Sequence, residues 1–271
     1  MEPIPVLEFD SVCFSYPHEK NRILDESSFR LYQGERAGII GDNGCGKSTI
    51  LKLMLAIYKP QKGKINLFGK PVSWSNYYSN IGYVGDPGYN TEQLGLPDDI
   101  KVNEALYLMA KLYDRCGKPH KIFDYEKKLG LTELGKRNIG NLSTGERKRL
   151  MMCLALSKYP SLVILDEPID GLDANIKPNA EQVIKEVIED QSTTILYISH
   201  NRMDLDEVTH KLYRLYQGKL SLESQPQFEV TVSDEQNKKL YDRRKTGQVQ
   251  KILHGLLDSE VSDFQIHIKR V

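Results

Sequence analysis

The sequence predicts an α/β protein in which short apolar strands alternate with helices. Residues 36–57 read as a buried strand, a glycine-rich loop and a helix in direct succession. Two further apolar runs, 162–168 and 193–199, have the length and continuous hydrophobicity of buried parallel strands, and each ends on polar residues. A helix-rich block, about 87–158, interrupts this alternation and is predicted to form a subdomain of its own.

The glycine-rich loop is a phosphate-binding motif. Its sequence, GDNGCGKST, matches G-x-x-x-x-G-K-[ST] with Gly41, Gly46, Lys47 and Ser48 in the fixed places. Glycines allow successive N–H groups to point at an anion, and the dipole of the following helix adds positive potential. Lys47 can reach the β- and γ-phosphates of a nucleotide, and the Ser48 hydroxyl can bind Mg²⁺. We expect nucleotide contacts from Gly41, Asp42, Asn43, Gly44, Cys45, Gly46, Lys47, Ser48 and Thr49.

Composition restricts the classes of partner. Lys and Arg together number 37, as do Asp and Glu, so the chain has no net charge that would attract nucleic acid or anionic lipid. No apolar run approaches the roughly 20 residues that span a bilayer. The four cysteines lack C-x-x-C spacing, which favours reduced thiols over a disulfide framework or a zinc site. The first ten residues do not have the pattern of a signal peptide.

Strands are predicted on both sides of the loop. Residues 6–16 and 27–33 read as strands before it, and 59–70 as a turn with a short hairpin strand after it. Tyr16 lies at the end of the first strand. It could stack on a nucleobase or be an ordinary strand-end aromatic, and the sequence favours neither alternative. Residues 80–84 form another short strand, which a Gly-Asp-Pro-Gly turn ends.

The helical block contains amphipathic helices at 103–114 and 121–130. A third helix follows the sequence LSTGERKRL at 142–150. Ser143 and Glu146 have the spacing of a capping box, which by itself is compatible with an ordinary capped helix.

Adjacent carboxylates end the strand at 162–168. Asp166 and Glu167 are costly to bury unless they are paired or bound to metal, and they lie at the end of a parallel strand where ligands bind. We therefore expect Asp166 to hold Mg²⁺ and Glu167 to take a proton from water; the alternative is a surface turn. His200 ends the strand at 193–199. A lone histidine is usually structural, but this position favours a role near the γ-phosphate.

The last core strand is predicted at 211–217. Beyond it the composition changes, with alternating strands at 228–232 and 264–268 and a polar amphipathic helix at 237–257. We therefore expect a nucleotide-binding domain over residues 1–220 and a small β-α-β appendage over 221–271.

These residues together resemble the ATP-binding cassette (ABC) family over about residues 6–220. Five motifs occur in the family's order: the glycine-rich loop, LSTGE at 142–146, LVILDEP at 162–168, IDGLD at 169–173 and Ser-His at 199–200. The resemblance implies a RecA-like P-loop NTPase core with an antiparallel β subdomain and an inserted helical (signature) subdomain. It also implies an ATPase that uses ATP and Mg²⁺.

Roles for individual residues follow from the same resemblance. It implies catalytic roles for Lys47, Glu167 and His200, and stacking of Tyr16 on adenine. Ser143, Gly145 and Asp173 would contact the nucleotide across a head-to-tail pair with a second copy or a homologous ATPase subunit. Mg²⁺ would be held by Ser48, Asp166 and Asp86.

The family also implies a transporter. ATP-driven closure of the pair would act on a polytopic membrane permease subunit, which would keep this chain on the cytoplasmic face of the membrane. Two alternatives remain: a non-transport ABC ATPase, and a regulatory clamp that binds ATP but hydrolyses it poorly.

Two motifs depart from the family pattern, the signature and the loop after the strand at 80–84. Thr144 and Glu146 replace a glycine and a glutamine of the usual LSGGQ signature, and Asp86 replaces the glutamine that follows the strand at 80–84. An acidic residue at that second position resembles some exporters, so the sequence weakly favours export over import. The transported substrate cannot be predicted.

Overall fold

The computed structural model describes residues 3–19, 21–73, 80–85, 96–190, 192–223, 227–234, 239–245 and 264–270. The strands are β1 (Leu7–Phe14), β2 (Leu24–Leu31), β3 (Arg36–Ile40), β4 (Lys62–Leu67), β5 (Lys70–Pro71), β6 (Ile81–Val84), β7 (Leu162–Asp166), β8 (Thr194–Ser199), β9 (Lys211–Tyr216), β10 (Lys219–Glu223), β11 (Gln227–Asp234), β12 (Lys239–Lys245) and β13 (Phe264–Arg270). The helices are α1 (Lys47–Met54), α2 (Val102–Arg115), α3 (Ile122–Lys128), α4 (Thr144–Leu156), α5 (Lys177–Glu189) and α6 (Arg202–Val208). Within these residues the helices are too short and too polar for any of them to traverse a lipid bilayer.

The central sheet has the strand order β10-β9-β3-β8-β7-β6. All its neighbouring pairs are parallel except β9 and β10, which form an antiparallel hairpin. Gln217 and Gly218 both have positive φ at the hairpin turn, as a tight two-residue turn requires. The sequence did not predict β10. The α/β fold that it predicted is confirmed.

Both faces of the central sheet are covered. Alternate residues of each strand point to opposite sides, so Leu162 and Ile164 join one apolar cluster while Val163 and Leu165 join the other. The first cluster contains α1 and the antiparallel sheet, and the second contains the remaining helices. Burial on both faces explains why these strands are continuously apolar in the sequence.

An antiparallel sheet of order β2-β1-β4-β5 packs over α1. The register of β1 shifts against both neighbours, which indicates bulges near Ser11. Opposite the irregular part of β1, Gly63 of β4 has a φ of +81° and lies close to the β1 backbone. A glycine is required there because any Cβ would meet the carbonyl oxygens of Asp10 and Ser11.

The predicted helices between residues 98 and 158 are present as α2, α3 and α4. Helix α4 is buried on nearly all sides from Lys148 to Leu154 and packs against β6. It carries Arg149, whose guanidinium donates to the Leu129 carbonyl just after α3, where a positive charge complements the helix dipole. The boundary of a separate helical subdomain at about 87–158 stays a prediction, and residues 86–95 lie outside the described ones.

The C-terminal part forms a three-stranded antiparallel sheet of order β12-β11-β13. The predicted strands at 228–232 and 264–268 are confirmed by β11 and β13. The predicted helix at 237–257 is wrong over Lys239–Lys245, which is strand β12 paired with β11. Antiparallel pairing with the preceding strand overrides the helical spacing of its polar residues. Residues 246–257 of that prediction lie outside the described residues, and the division at residue 220 stays a prediction.

Replacing Gly63 with Ala should destabilise the protein strongly. The added Cβ would lie 2.4 Å from the carbonyl oxygens of Asp10 and Ser11. Gly117→Ala is the matched control, because Gly117 also has a positive φ but would place its Cβ in open space. Left-handed strain alone should cost about 1–2 kcal/mol, and the clash should add about 1–3 kcal/mol in Gly63→Ala. Urea denaturation measures both; equal losses would show that the close approach of β4 to β1 does not constrain residue 63.

Candidate functional site

The carboxyl ends of three parallel strands lie side by side at one edge of the central sheet. Ile40 of β3 is opposite Ser199 of β8, and Ile198 of β8 is opposite Asp166 of β7. The glycine-rich loop and the polar residues that end β7 and β8 therefore leave the sheet at the same place. A cavity of about 420 Å³ opens there. This is the edge at which α/β sheets bind ligands.

Residues predicted from separate parts of the sequence line this cavity together. The loop contributes Asn43, Gly44, Gly46, Lys47, Ser48 and Thr49. Tyr16, Asp166 and Glu167 line it as well, as predicted. Ile23, Lys148 and Asp170 also line it and were not predicted to do so, although Asp170 belongs to the IDGLD motif.

The conformation of the loop depends on its glycines. Gly44 and Gly46 have φ values of +79° and +113°, and Gly46 is the left-handed residue from which α1 begins. Gly41 has no room for a side chain, since a Cβ would lie 2.6 Å from the Cys45 sulfur and 2.8 Å from the Leu215 carbonyl oxygen. The loop therefore passes close to β9 while α1 directs its N-terminus into the cavity.

Lys47 lies over the loop. Its ammonium donates to the carbonyl oxygens of Gly41 at 2.6 Å and of Asp42 at 3.1 Å. The Ser48 side chain is exposed at the cavity.

Neither Asp42 nor Cys45 lines the cavity, and Cys45 packs against the apolar cluster below the loop. These two residues can thus contribute main-chain groups to an anion site, but not side chains.

Tyr16 is held by its neighbours at the cavity wall. Its ring packs edge-on against Phe14 and Tyr58, at centroid distances of 5.2 and 5.5 Å. Its hydroxyl lies 3.1 Å from the Thr49 hydroxyl, and the Lys52 ammonium lies 5.5 Å from the ring centroid. The ring is thus oriented before any ligand arrives, as a stacking platform requires.

Asp166 has the environment of a metal-binding carboxylate. Burial, and after it the charge of Glu167, raises the pKa of Asp166 to about 6, against the opposing charges of Lys148 and Lys47. The Tyr83 hydroxyl donates to it at 3.4 Å. Mg²⁺ prefers oxygen ligands and usually takes one or two carboxylates beside phosphate oxygens. The Asp166 carboxylate and the Ser48 hydroxyl, both lining one cavity, fit that requirement.

Glu167 is held in an unusual conformation. Its φ is +45°, a left-handed value that is strained for a residue other than glycine. Its N–H donates to the Ile198 carbonyl, and its carbonyl accepts from Lys148 at 2.6 Å. Its carboxylate lies 2.5 Å from Nδ1 of His200. The hydrogen bond to Glu167 and the Glu167 charge raise the pKa of His200 above its ordinary value.

The LSTGE segment lies at the N-terminus of α4. The Ser143 hydroxyl accepts from the Glu146 N–H at 3.2 Å, and the Ser143 N–H donates to the Glu146 carboxylate at 2.8 Å. Arg137 donates to the same carboxylate at 2.7 Å. Burial raises the pKa of Glu146, but these hydrogen bonds and the Arg137 charge outweigh it and leave the pKa below its ordinary value. A carboxylate at position 146 therefore completes the cap of α4.

The predicted ligand residues separate into two groups. Ser143, Gly145 and Asp173 do not line the cavity of their own chain, and both Ser143 and Asp173 are exposed. Gly145 packs against the segment 169–173, because a Cβ at Gly145 would lie 2.9 Å from the Gly171 carbonyl oxygen. Asp86, the third predicted metal ligand, lies outside the described residues.

Lys148 is the main site residue that sequence reasoning missed. Its ammonium donates to the carbonyls of Glu167 and Asp170 although its side chain is only 7% exposed. The one signal in the sequence is the run of basic residues at 147–149 on an otherwise apolar helix.

Comparisons with known proteins agree on one family. The model of the ABC transporter family matches residues 24–170. The energy-coupling factor transporter ATP-binding protein EcfA1 of Mycoplasma capricolum is 31% identical over 222 residues, which are 81% of this chain but only 54% of that protein, so the match spans about half of this relative. The zinc uptake system ATP-binding protein ZurA of Listeria monocytogenes is 33% identical over 202 residues, covering 73% of this chain and 77% of that one.

A solved ATP-binding subunit of an ABC transporter has a similar fold. Its TM-score is 0.67 at 22% sequence identity, over 81% of this chain and 90% of that chain. A likeness at this identity shows the fold alone, and it confirms the predicted P-loop NTPase core.

Replacing Glu167 with Gln should lower the pKa of His200. The carboxylate stabilises the protonated imidazolium, and a neutral amide removes that charge, so the pKa should fall toward the unperturbed value of about 6.5. A pH titration followed by long-range ¹H–¹⁵N NMR of the imidazole measures the change. Glu133→Gln, at an exposed position, is the control and should leave the titration of His200 where it is. An unchanged His200 pKa in Glu167→Gln would contradict the contact.

Proposed function

The chain belongs to the ABC transporter family, and we propose that it binds and hydrolyses ATP to drive a separate membrane-spanning partner. The observation that carries the proposal is the contact between Glu167 and His200 at the cavity formed by the glycine-rich loop. A carboxylate and an imidazole beside a phosphate site form the pair needed to activate a water and to position the phosphate it attacks.

The proposed reaction rests on positioning and neutralisation of charge. The N–H groups of the loop and the Lys47 ammonium bind the phosphates, and Tyr16 stacks on the adenine. Ser48 and Asp166 would hold Mg²⁺, which would neutralise charge on the phosphate oxygens; Asp86 stays a proposed further ligand. Glu167 orients the attacking water and accepts its proton as the water oxygen bonds to the γ-phosphorus. The bond from that phosphorus to the β-γ bridging oxygen breaks, and ADP leaves.

His200 has two tasks in this scheme. Its Nδ1 contacts the Glu167 carboxylate and so limits the directions in which that carboxylate can point. The rest of the ring is exposed, since the His200 side chain is 52% accessible, and it can donate to a γ-phosphate oxygen. His200 would thus link the attacking water to the phosphate that receives it.

We propose that a second copy of the chain completes the site. The exposed Ser143 at the N-terminus of α4 offers a helix dipole and a hydroxyl to an anion outside its own chain. Asp173 is exposed on the segment that Gly145 contacts. In a head-to-tail pair these groups would face the γ-phosphate bound by the partner. A homologous ATPase subunit in place of the second copy is the alternative.

We further propose that the transporter imports its substrate. One relative is named as part of a zinc uptake system and another as part of an energy-coupling factor transporter. The first of these names supports import over the export that the acidic Asp86 weakly favoured. The partner would be a polytopic permease, and the chain would lie on the cytoplasmic face of the membrane through that partner.

The contact between Glu167 and His200 argues against the alternative of a regulatory clamp that binds ATP but hydrolyses it poorly.

Changing Glu167 to Gln tests the proposed hydrolysis. The amide keeps the size of the side chain but cannot accept the proton, so turnover should fall at least ~100-fold. ATP affinity should stay near that of the wild type, and ATP should produce stable dimers on size-exclusion chromatography. Glu133→Gln serves again as the matched control and should turn over normally. Wild-type turnover in Glu167→Gln would reject the assignment.

A further inference from the structure

Three consecutive basic residues attach α4 to three different segments of main chain. Arg147 donates to the Ile139 carbonyl at 3.0 Å, and Arg149 donates to the Leu129 carbonyl at the same distance. Lys148, between them, reaches the segment after β7. Successive helical residues point about 100° apart, so each of the three has its own direction. Of the three, Lys148 alone lines the cavity of the glycine-rich loop.

The ammonium of Lys148 bridges both ends of one turn. It donates to the Glu167 carbonyl at 2.6 Å and to the Asp170 carbonyl at 2.8 Å. Within the same turn, the Asp170 N–H donates to the Glu167 carbonyl at 3.2 Å. An ammonium with so little exposure requires hydrogen-bond acceptors, and the two carbonyls supply them. The Lys148 ammonium thus joins the first and last residues of the turn at 167–170, which follows β7.

This turn sets the direction of the Glu167 carboxylate. A left-handed backbone at a residue other than glycine costs of order 1–3 kcal/mol and persists only where its surroundings hold it. At Glu167 the N–H is held by Ile198 and the carboxylate by His200. The carbonyl accepts from Lys148 and from the Asp170 N–H of the turn itself. Among these contacts, the one from Lys148 comes from α4, outside the central sheet.

We propose that Lys148 is a positioning residue for ATP hydrolysis: by binding the carbonyls of Glu167 and Asp170, it keeps Glu167 in the left-handed conformation that directs its carboxylate to the attacking water. This inference rests on the proposed function, because it assumes that Glu167 acts on that water. It assigns to Lys148 no direct contact with the nucleotide.

Lys148→Met tests the proposal in the full-length chain. Methionine has nearly the length and the apolar stem of lysine but cannot donate hydrogen bonds to the two carbonyls. The turn should therefore relax, and the Glu167 carboxylate should lose its orientation. We expect kcat to fall about 100-fold, as for a misplaced catalytic group, while the Kd for Mg-ATP stays unchanged. Lys148→Arg, which keeps a charged donor, should recover a large part of the activity. If Lys148→Met is insoluble, Lys148→Gln replaces it, because its neutral and shorter amide should also fail to bridge both carbonyls.

Arg149→Met is the matched control. Arg149 lies on the same helix as Lys148 and is also a buried cation that donates to a main-chain carbonyl. Its acceptor is the Leu129 carbonyl, and Arg149 does not line the cavity. Both Met variants should lower the midpoint of thermal unfolding. Only Lys148→Met should lower kcat. An equal loss of kcat in Arg149→Met would reduce the role of Lys148 to general stability and overturn the proposal.

A double mutant separates a positioning residue from a direct ligand. If Lys148 acts through Glu167, then adding Lys148→Met to Glu167→Gln should not slow single-turnover hydrolysis further. A further slowing, or a weaker Kd for Mg-ATP with kcat unchanged, would show that Lys148 contacts the nucleotide instead. Full activity of Lys148→Met beside an inactive Glu167→Gln would reject this inference alone, whereas an active Glu167→Gln would reject the proposed function.

Discussion

The parallel register of β3, β8 and β7 brings the residues of the site to one edge of the sheet. The strands pair so that the glycine-rich loop, the Asp166–Glu167 pair and His200 leave the sheet at one edge. The two apolar clusters hold this register, because a slip by one residue would move every strand side chain to the wrong face. The loop and the two acids thus line one cavity, and His200 reaches it through its contact with Glu167.

Helix α4 connects that edge to the outside of the chain. Its N-terminus presents Ser143 to solvent, and about 7.5 Å further along the axis Lys148 contacts the turn that carries Glu167. A buried helix transmits displacement as a rigid body. If the partner's nucleotide binds at Ser143, as we propose, then α4 links the occupancy of one site to the orientation of Glu167 in the same chain.

The sequence predicted the parts of the site whose chemistry is local. The loop at 41–49 and the acids at the end of β7 are contiguous motifs, and their spacing alone indicates phosphate and metal binding. The contacts of Lys148 were not predictable, because the carbonyls it binds lie 19 and 22 residues away and no residue type identifies a carbonyl acceptor. Strand β12 was mistaken for helix for a similar reason: its pairing with β11 is not encoded in its own periodicity.

In the proposed dimer one chain supplies the loop and the other supplies the signature, so a mixture of two defective chains should regain activity. Lys47→Ala removes the phosphate-binding ammonium, and Ser143→Arg obstructs the exposed cap of α4. Each protein alone should be inactive. An equal mixture should recover roughly one quarter of wild-type turnover, since random pairing makes half of the dimers mixed and each mixed dimer has one intact site. A mixture that stays as inactive as its components would show that the loop and the signature of different chains do not form one site.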